Sequence, residues 1–230
     1  MPNKQVKSRE DRECHAKTRP ILDLTRTAVR QLEQFKTRPW DVIPSLRNHI
    51  PEYGIALPYD QYDEIAENVW MHISAYLSPA ARIEGPAIIG GGAEIRHFSY
   101  IKNAVIGAFA TVGEFSTVKN SILFDRSALC GHNEVLSSIV GYECVLGAGV
   151  ILADTHPDKS SITFEMPEGI YLTGKTHLGS VICDGTRIGA GCVIAPGTVI
   201  DYGSAVFRPD SVSGYLSPYS TFGKAESTGQ

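Results

Sequence analysis

The sequence has no excess of basic residues, no apolar run long enough to cross a bilayer, and no cysteines at CxxC spacing. Each absence removes a class of function. A net charge of -4 and a pI near 6.0 leave no positive field for nucleic acid. Without a long apolar stretch, no membrane partner is expected. The opening MPNKQVKSREDRECHAKTRP is charged and lacks the apolar centre of a secretory signal. The five scattered cysteines fit a reducing compartment, so a cytoplasmic location is expected. Among His15, His49, His72, His97, His132, His156 and His177 there is no HxxxH or HxxxxH pair, so no metal is expected. Paired carboxylates are scarce at outward positions, which argues against glycoside hydrolysis.

What the chain does have is a beat. An aliphatic residue recurs at every sixth position: Leu77, Ile83, Ile89, Ile95, Ile101, then Ile106, Val112, Val118, then Leu123, Leu129, Val135, then Val140, Leu146, Leu152. It resumes through Ile182, Ile188, Ile194, Ile200, Val206 and Val212. The steps Ile101–Ile106, Val118–Leu123 and Val135–Val140 are one residue short, so three steps make a larger repeat of 17 residues. Three short sides per repeat predict a three-sided coil, and coils that cannot bury their own apolar edges must stack on one another. The expected fold is an all-β parallel β-helix.

A second series agrees. Four residues after each aliphatic comes a compact residue, among them Ala87, Ala93, Ser99, Ala110, Ser116, Ser127 and Cys144. The corners of a prism have little room, so this series is expected to point inward, with the β-branched Val105, Ile122 and Ile139 on the shortened sides. Asn133 is the one amide in the series. Gly90, Gly107, Gly141, Gly147 and Gly189 directly follow the aliphatic position, where a tight corner would favour glycine.

Along the chain, residues 1–19 are expected to be a mobile arm and residues 20–70 a helical cap and connector. The cap would have one helix over 20–38 and a second starting at Pro44. The β-helix is expected over 71–214, with a loop at 153–177 where the beat is lost, and a tail at 215–230. A cap is expected because an open first coil would expose a sheet edge.

Several outward residues carry candidate chemistry. Lys102-Asn103 and Lys119-Asn120 share one phase in successive coils, about 4.8 Å apart. Two ammonium groups that close call for an anion, and a phosphate is the obvious one. His132, in LCGHNEV, is expected to point outward as a general base for an attacking amine or hydroxyl. His156, in DTHPD, has Asp154 and Asp158 near it as partners for its ring.

These residues carry a resemblance. The hexad register looks like that of the hexapeptide-repeat, left-handed β-helix acyltransferases, over residues 83–212. The stretch VGEFSTVKNSILFDRSALCGHNEVLSSIVGYECVLGAGVILAD is similar to the acetyltransferase half of bifunctional N-acetylglucosamine-1-phosphate uridyltransferase/glucosamine-1-phosphate acetyltransferase, and closer to stand-alone relatives of that half. LDLTRTAV and RPWDVIP resemble segments of those stand-alone proteins. The resemblance implies a left-handed coil, homotrimers with grooves between prisms, and acetyl-CoA as donor. It implies that Lys119, with Asn120 beside it, contacts a sugar phosphate, that Lys102 replaces a family arginine, and that His132 is the base. It also implies that CoA lies along Ala190-Gly191 and Ala195-Pro196-Gly197. The DTHPD loop separately resembles the loop of galactoside and maltose O-acetyltransferases, whose histidine is the base. Two departures stand out. NEVLSSI after His132 is one residue shorter than the family stretch and lacks its tyrosine. Residues 1–70 hold a single glycine, Gly54, and so no glycine-rich nucleotide loop.

The leading expectation is thus an acetyl-CoA-dependent acyltransferase acting on an amine or hydroxyl of a sugar or sugar phosphate. The first alternative is a non-catalytic trimeric scaffold that binds a sugar phosphate or nucleotide sugar, favoured by the departure at 133–139. The second is a carbonic-anhydrase-like metal enzyme.

Overall fold

The computed structural model describes residues 6–7, 22–27, 38–207 and 211–223. The repeating part is a parallel β-helix with three faces. The first face is an eight-stranded sheet running from Tyr76–Leu77 through Glu94–Ile95, Thr111–Val112, Ala128–Leu129 and Val145–Leu146 to Thr221–Phe222. The second and third faces are joined, because Arg82–Ile89, Tyr100–Ile106 and Thr117–Leu123 each run unbroken around the corner between them, the last two with the shortened step. Register is kept coil to coil: Ile101 stands beside Val118, and Ile106 beside Leu123. The prism interior is the aliphatic column itself, from Ile89 through Leu129 and Leu152 to Val212, all almost without exposure.

The inward small series holds where the step is six residues, but shifts where it is five. Ala104, Ser121 and Ser138 occupy the inward place at the shortened corner. Val105, Ile122 and Ile139 turn outward into a second core. One residue fewer moves the following side chain to the other face. The inward serines then bond to one another's coils: the Ser138 N–H donates to Ser121 Oγ at 3.1 Å, and the Ser180 N–H to Ser138 Oγ at 3.0 Å.

The second core lies over the third face. Ile88, Val105, Ile122, Ile139, Val181 and Val199 form its floor. Its roof begins with a 3-10 helix, Pro39–Ser45, which leads directly into the helix Leu46–Ile55; Leu46 and Ile50 are fully buried. Burying each such side chain stabilises the fold by about 1.5–3 kcal/mol. The rest of the roof comes from the 153–177 segment. This is a hairpin, Thr163–Met166 with Gly169–Leu172, whose Phe164 stacks on Trp40 with centroids 4.2 Å apart. Val6–Lys7 lies parallel to Ile170–Tyr171 as a third strand. The rest of the predicted arm lies outside the described residues.

Leu24–Arg26 is a single 3-10 turn where a helix is predicted over 20–38, and residues 28–37 lie outside the described residues. Asp184, accepting from Asp23 N at 2.7 Å, ties this turn to the coil. The β-helix extends beyond the predicted limits at both ends. Val69–His72 pairs with Arg82–Ile89, and Tyr215–Leu216 and Thr221–Phe222 continue the ladders into the predicted tail. After Val212 the next inward residues are Leu216 and Phe222, so a shorter step and an aromatic ring hide the register in the sequence.

The glycines after each aliphatic serve packing, not turning. A Cβ on Gly90 would stand 2.6 Å from Ala108 N, and one on Gly147 2.6 Å from Ala190 N. The left-handed corner positions fall elsewhere. Some hold glycine, as Gly149 and Gly191 at φ 70° and 74°, and others hold larger residues: Phe98, Phe115 and His132 at 59°, 57° and 53°, and Asn103 and Asn120 at 48° and 49°. No helix of the described residues is long and apolar enough to cross a membrane.

Candidate functional site

With the third face roofed, the chemistry-bearing residues stand along the second face and its two corners. At the corner between the first and second faces, successive coils place Phe98, Phe115, His132, Gly149 and Gly191 one above another. Each coil's N–H donates to the coil before: Phe115 N to His97 O at 3.1 Å, His132 N to Glu114 O at 2.8 Å, Gly149 N to Gly131 O at 3.0 Å, and Gly191 N to Ala148 O at 2.9 Å. The first three carry stacked rings. Phe98 and Phe115 have centroids 5.0 Å apart, and Phe115 and His132 also 5.0 Å apart with planes 11° from parallel. His132 is exposed. Asn133, the amide in the inward series, is buried beneath it. Its Oδ1 accepts from Gly131 N at 2.8 Å and its Nδ2 donates to Gly147 O at 2.6 Å, so it holds the corner that presents His132. Above His132 the corner is bare in two coils, Gly147-Ala148-Gly149 and Gly189-Ala190-Gly191.

The far corner of the second face holds the lysines. Lys102 and Lys119 stand side by side. Their counter-charge is already in place. Lys102 Nζ lies 3.0 Å from Glu84 Oε2, Arg82 also pairs with Glu84, and Tyr100 Oη donates to the same carboxylate at 2.8 Å. The bonds from Lys102 and Tyr100 hold the Glu84 carboxyl down to about 2, and Glu84 in turn raises Lys102. Lys119 Nζ instead rests 5.2 Å over the Tyr100 ring. Arg82 and Lys102 flank one carboxylate and Lys119 stands beside Lys102, so the cluster retains positive charge. Sequence reasoning missed Glu84, Arg82 and Tyr100. The signal available was register: Glu84 lies one coil below Lys102, and Arg82 one coil below Tyr100, which precedes Lys102 by two residues on the same strand. Asn120 Oδ1 accepts from Asn103 Nδ2 at 2.8 Å, so it also braces its corner. A cleft of about 470 Å³ opens beside this cluster, between the helix and the first coil, and Arg47, Glu67, Asn68 and Glu84 line it.

The predicted residues do not all meet within one chain. Lys119 stands beside Leu136, four residues along the face from His132, or roughly 13 Å at the strand rise. His156 lies at the lysine end instead. It follows Asp154, whose Oδ2 accepts from Ser137 Oγ at 2.8 Å on the coil above Asn120. Neither neighbouring carboxylate hydrogen-bonds the His156 ring: Asp154 holds Ser137, and Asp158 accepts from Ser160 N at 2.9 Å, a bond that lowers its carboxyl with a smaller contribution from the charge of His156. The predicted CoA residues fall at two corners. Ala190 and Gly191 are exposed above His132. Ala195 leads to Gly197, which is buried beneath the hairpin, where a Cβ would strike Thr163 O. Among the described residues no three His, Cys, Asp or Glu side chains cluster as metal ligands would.

No family model matches the sequence. Over 114 residues the chain is 29% identical to YaiX of Escherichia coli (strain K12), described as an uncharacterized acetyltransferase. That stretch covers 49% of this chain and 42% of YaiX, so the match spans less than half of the relative's length. Among solved structures, a hexapeptide transferase family protein from Anaplasma phagocytophilum aligns with 60% of this chain and 69% of its own, at 18% identity and a TM-score of 0.29. A point mutant of AntD, an N-acyltransferase from Bacillus cereus solved with dTDP-4-amino-4,6-dideoxyglucose and coenzyme A, aligns with 67% of this chain and 75% of its own, at 18% identity and a TM-score of 0.37. At these values the fold rests on the strand register described above.

Proposed function

We propose that the protein is an acyltransferase that moves an acetyl group from acetyl-CoA to an amine or hydroxyl of a sugar or sugar phosphate. The observation that carries this is His132: an exposed imidazole on a rigid corner, with two coils of bare Gly-Ala-Gly backbone directly above it. The similarity to YaiX supports the same chemistry.

In this reading the acceptor nitrogen or oxygen attacks the thioester carbonyl, and its N–H or O–H bond breaks as His132 takes the proton. The tetrahedral intermediate then expels the CoA thiolate, which recovers that proton from the imidazolium. Acetyl-CoA lies along Ala148-Gly149 and Ala190-Gly191, where nothing projects. Lys119 takes an acceptor phosphate, and Lys102, held by Glu84, supplies field more than contact. In a homotrimer, a groove between prisms would let a neighbour's second face complete the span between His132 and the lysines.

The test is release of free CoA from acetyl-CoA over a panel of amino sugars, sugar phosphates and nucleotide-linked amino sugars. Acceptor-dependent release that His132→Asn abolishes supports the reading. Loss in His156→Asn with His132→Asn active would transfer the base to the loop. Saturable sugar-phosphate binding with no acetyl-CoA binding would establish the scaffold alternative.

A further inference from the structure

Phe115 sits where the fold gives it no reason to be. It holds a left-handed backbone conformation, which disfavours bulky residues, and it is 53% exposed, so it gains little from the core. Phe98 repeats the arrangement one coil below at 59% exposure. Their shared feature is contact with the next ring up. The 5.0 Å centroid separations match the ~4.8 Å spacing of the coils, so the rings stand one above another along the helix axis. Two consequences follow for His132. Its imidazole plane is held within 11° of the Phe115 ring, so the ring below fixes how the imidazole is turned. Its lower face rests on a π-cloud, which attracts a cation.

The upper face is free. The column ends at Gly149, although Gly149 has φ +70°, close to the corner angle that Phe98, Phe115 and His132 adopt. A Cβ there would meet only Gly191 N, at 4.0 Å. A side chain there would bear the positive φ, as Phe115 and His132 do, but would meet no crowding, and the ring is held from one side only.

We propose that Phe115, braced by Phe98, is a positioning residue for His132: it sets the imidazole plane and stabilises the imidazolium formed when His132 takes the acceptor's proton. The inference rests on the reading of His132 as base. Two measurements on the full chain test it together. In two-dimensional proton–carbon spectra the His132 ring protons should be displaced upfield by Phe115, and Phe115→Leu should remove that displacement. Its absence in the parent protein overturns the inference whatever the activity. With the acceptor selected by the CoA-release panel, Phe115→Leu should lower kcat by about 10- to 100-fold with little change in KM. Phe115→Tyr, which keeps the ring, should restore most of the rate. Phe109→Leu, an exposed phenylalanine at another corner, should leave it unchanged. A parent-like kcat in Phe115→Leu, with His132→Asn inactive, overturns the positioning role alone. An active His132→Asn overturns the reading of His132 as base, and the positioning role with it.

Discussion

Replacing Gly90 by alanine tests whether coil stacking, not corner strain, explains the glycines after the aliphatic beat. The new Cβ would lie 2.6 Å from Ala108 N and 2.7 Å from Gly107 C, both backbone atoms of the next coil. It must retreat by about 0.8 Å to reach the 3.4 Å at which such contacts become ordinary. The two coils are tied here by Gly90 N–H to Ile106 O at 2.8 Å. The same retreat would stretch that bond to about 3.6 Å, where it no longer counts as one. The chain therefore accepts either a clash or a broken ladder bond, at a cost of about 2–3 kcal/mol. For a chain of this size that lowers the melting temperature by about 5–10 °C. Thermal unfolding followed by circular dichroism, at fixed protein concentration, measures it. Gly149→Ala is the internal comparison. It meets open space, so its only cost is the positive φ, about 1 kcal/mol. A Gly90→Ala melting point within about 2 °C of the parent's, or no lower than that of Gly149→Ala, refutes the steric account.

Other outcomes follow from the same coordinates. Ile122→Ala opens a cavity between the third face and the helical roof and should cost about 2–5 kcal/mol, read by urea unfolding. Gly149→Phe adds one more ring to the corner column; it should fold, because Phe115 tolerates the same corner, but acetyl-CoA binding measured by calorimetry should be lost. Glu84 is held near pKa 2 against an ordinary 4.5, so its ion pairs persist above about pH 4.5 and are lost as pH falls through about 2. Carboxyl NMR should find Glu84 ionised at acidic pH where ordinary glutamates have protonated, and Lys102→Met should return it towards 4.5. Of the described cysteines, exposed Cys130 should react with a thiol reagent in the folded protein. Buried Cys144, its thiol pushed up to about 12 by desolvation, should react only after unfolding.

The beat was enough to read the prism. A six-residue register with a regular slip leaves few ways to bury Ile101, Val112 and Val118 other than by stacking three-sided coils. It was not enough to read the shortened corner, because whether Val105 or Ala104 turns inward depends on how the backbone absorbs the missing residue. It also missed the rungs at Tyr215–Leu216 and Thr221–Phe222, where a shorter step and an inward Phe222 interrupt the pattern. For the candidate site, the sequence placed Lys102 beside Lys119, since both share one phase of the repeat. It could not supply Glu84 as the partner of Lys102, because that pairing depends on side-chain reach between coils. Nor could it show that Gly197 is sealed under a hairpin inserted from the long loop.

The sequence by itself therefore determined the period, and with it the parallel β-helix and the coil on which each outward residue sits, because burial of a repeating apolar edge acts residue by residue along the chain. Only the tertiary structure decided which faces stay open, that His132 and Lys119 stand at opposite ends of one face, and that Phe98 and Phe115 stack beneath His132. Those outcomes come from contacts between coils and from the roof folding back over the third face, which join residues that no local spacing connects.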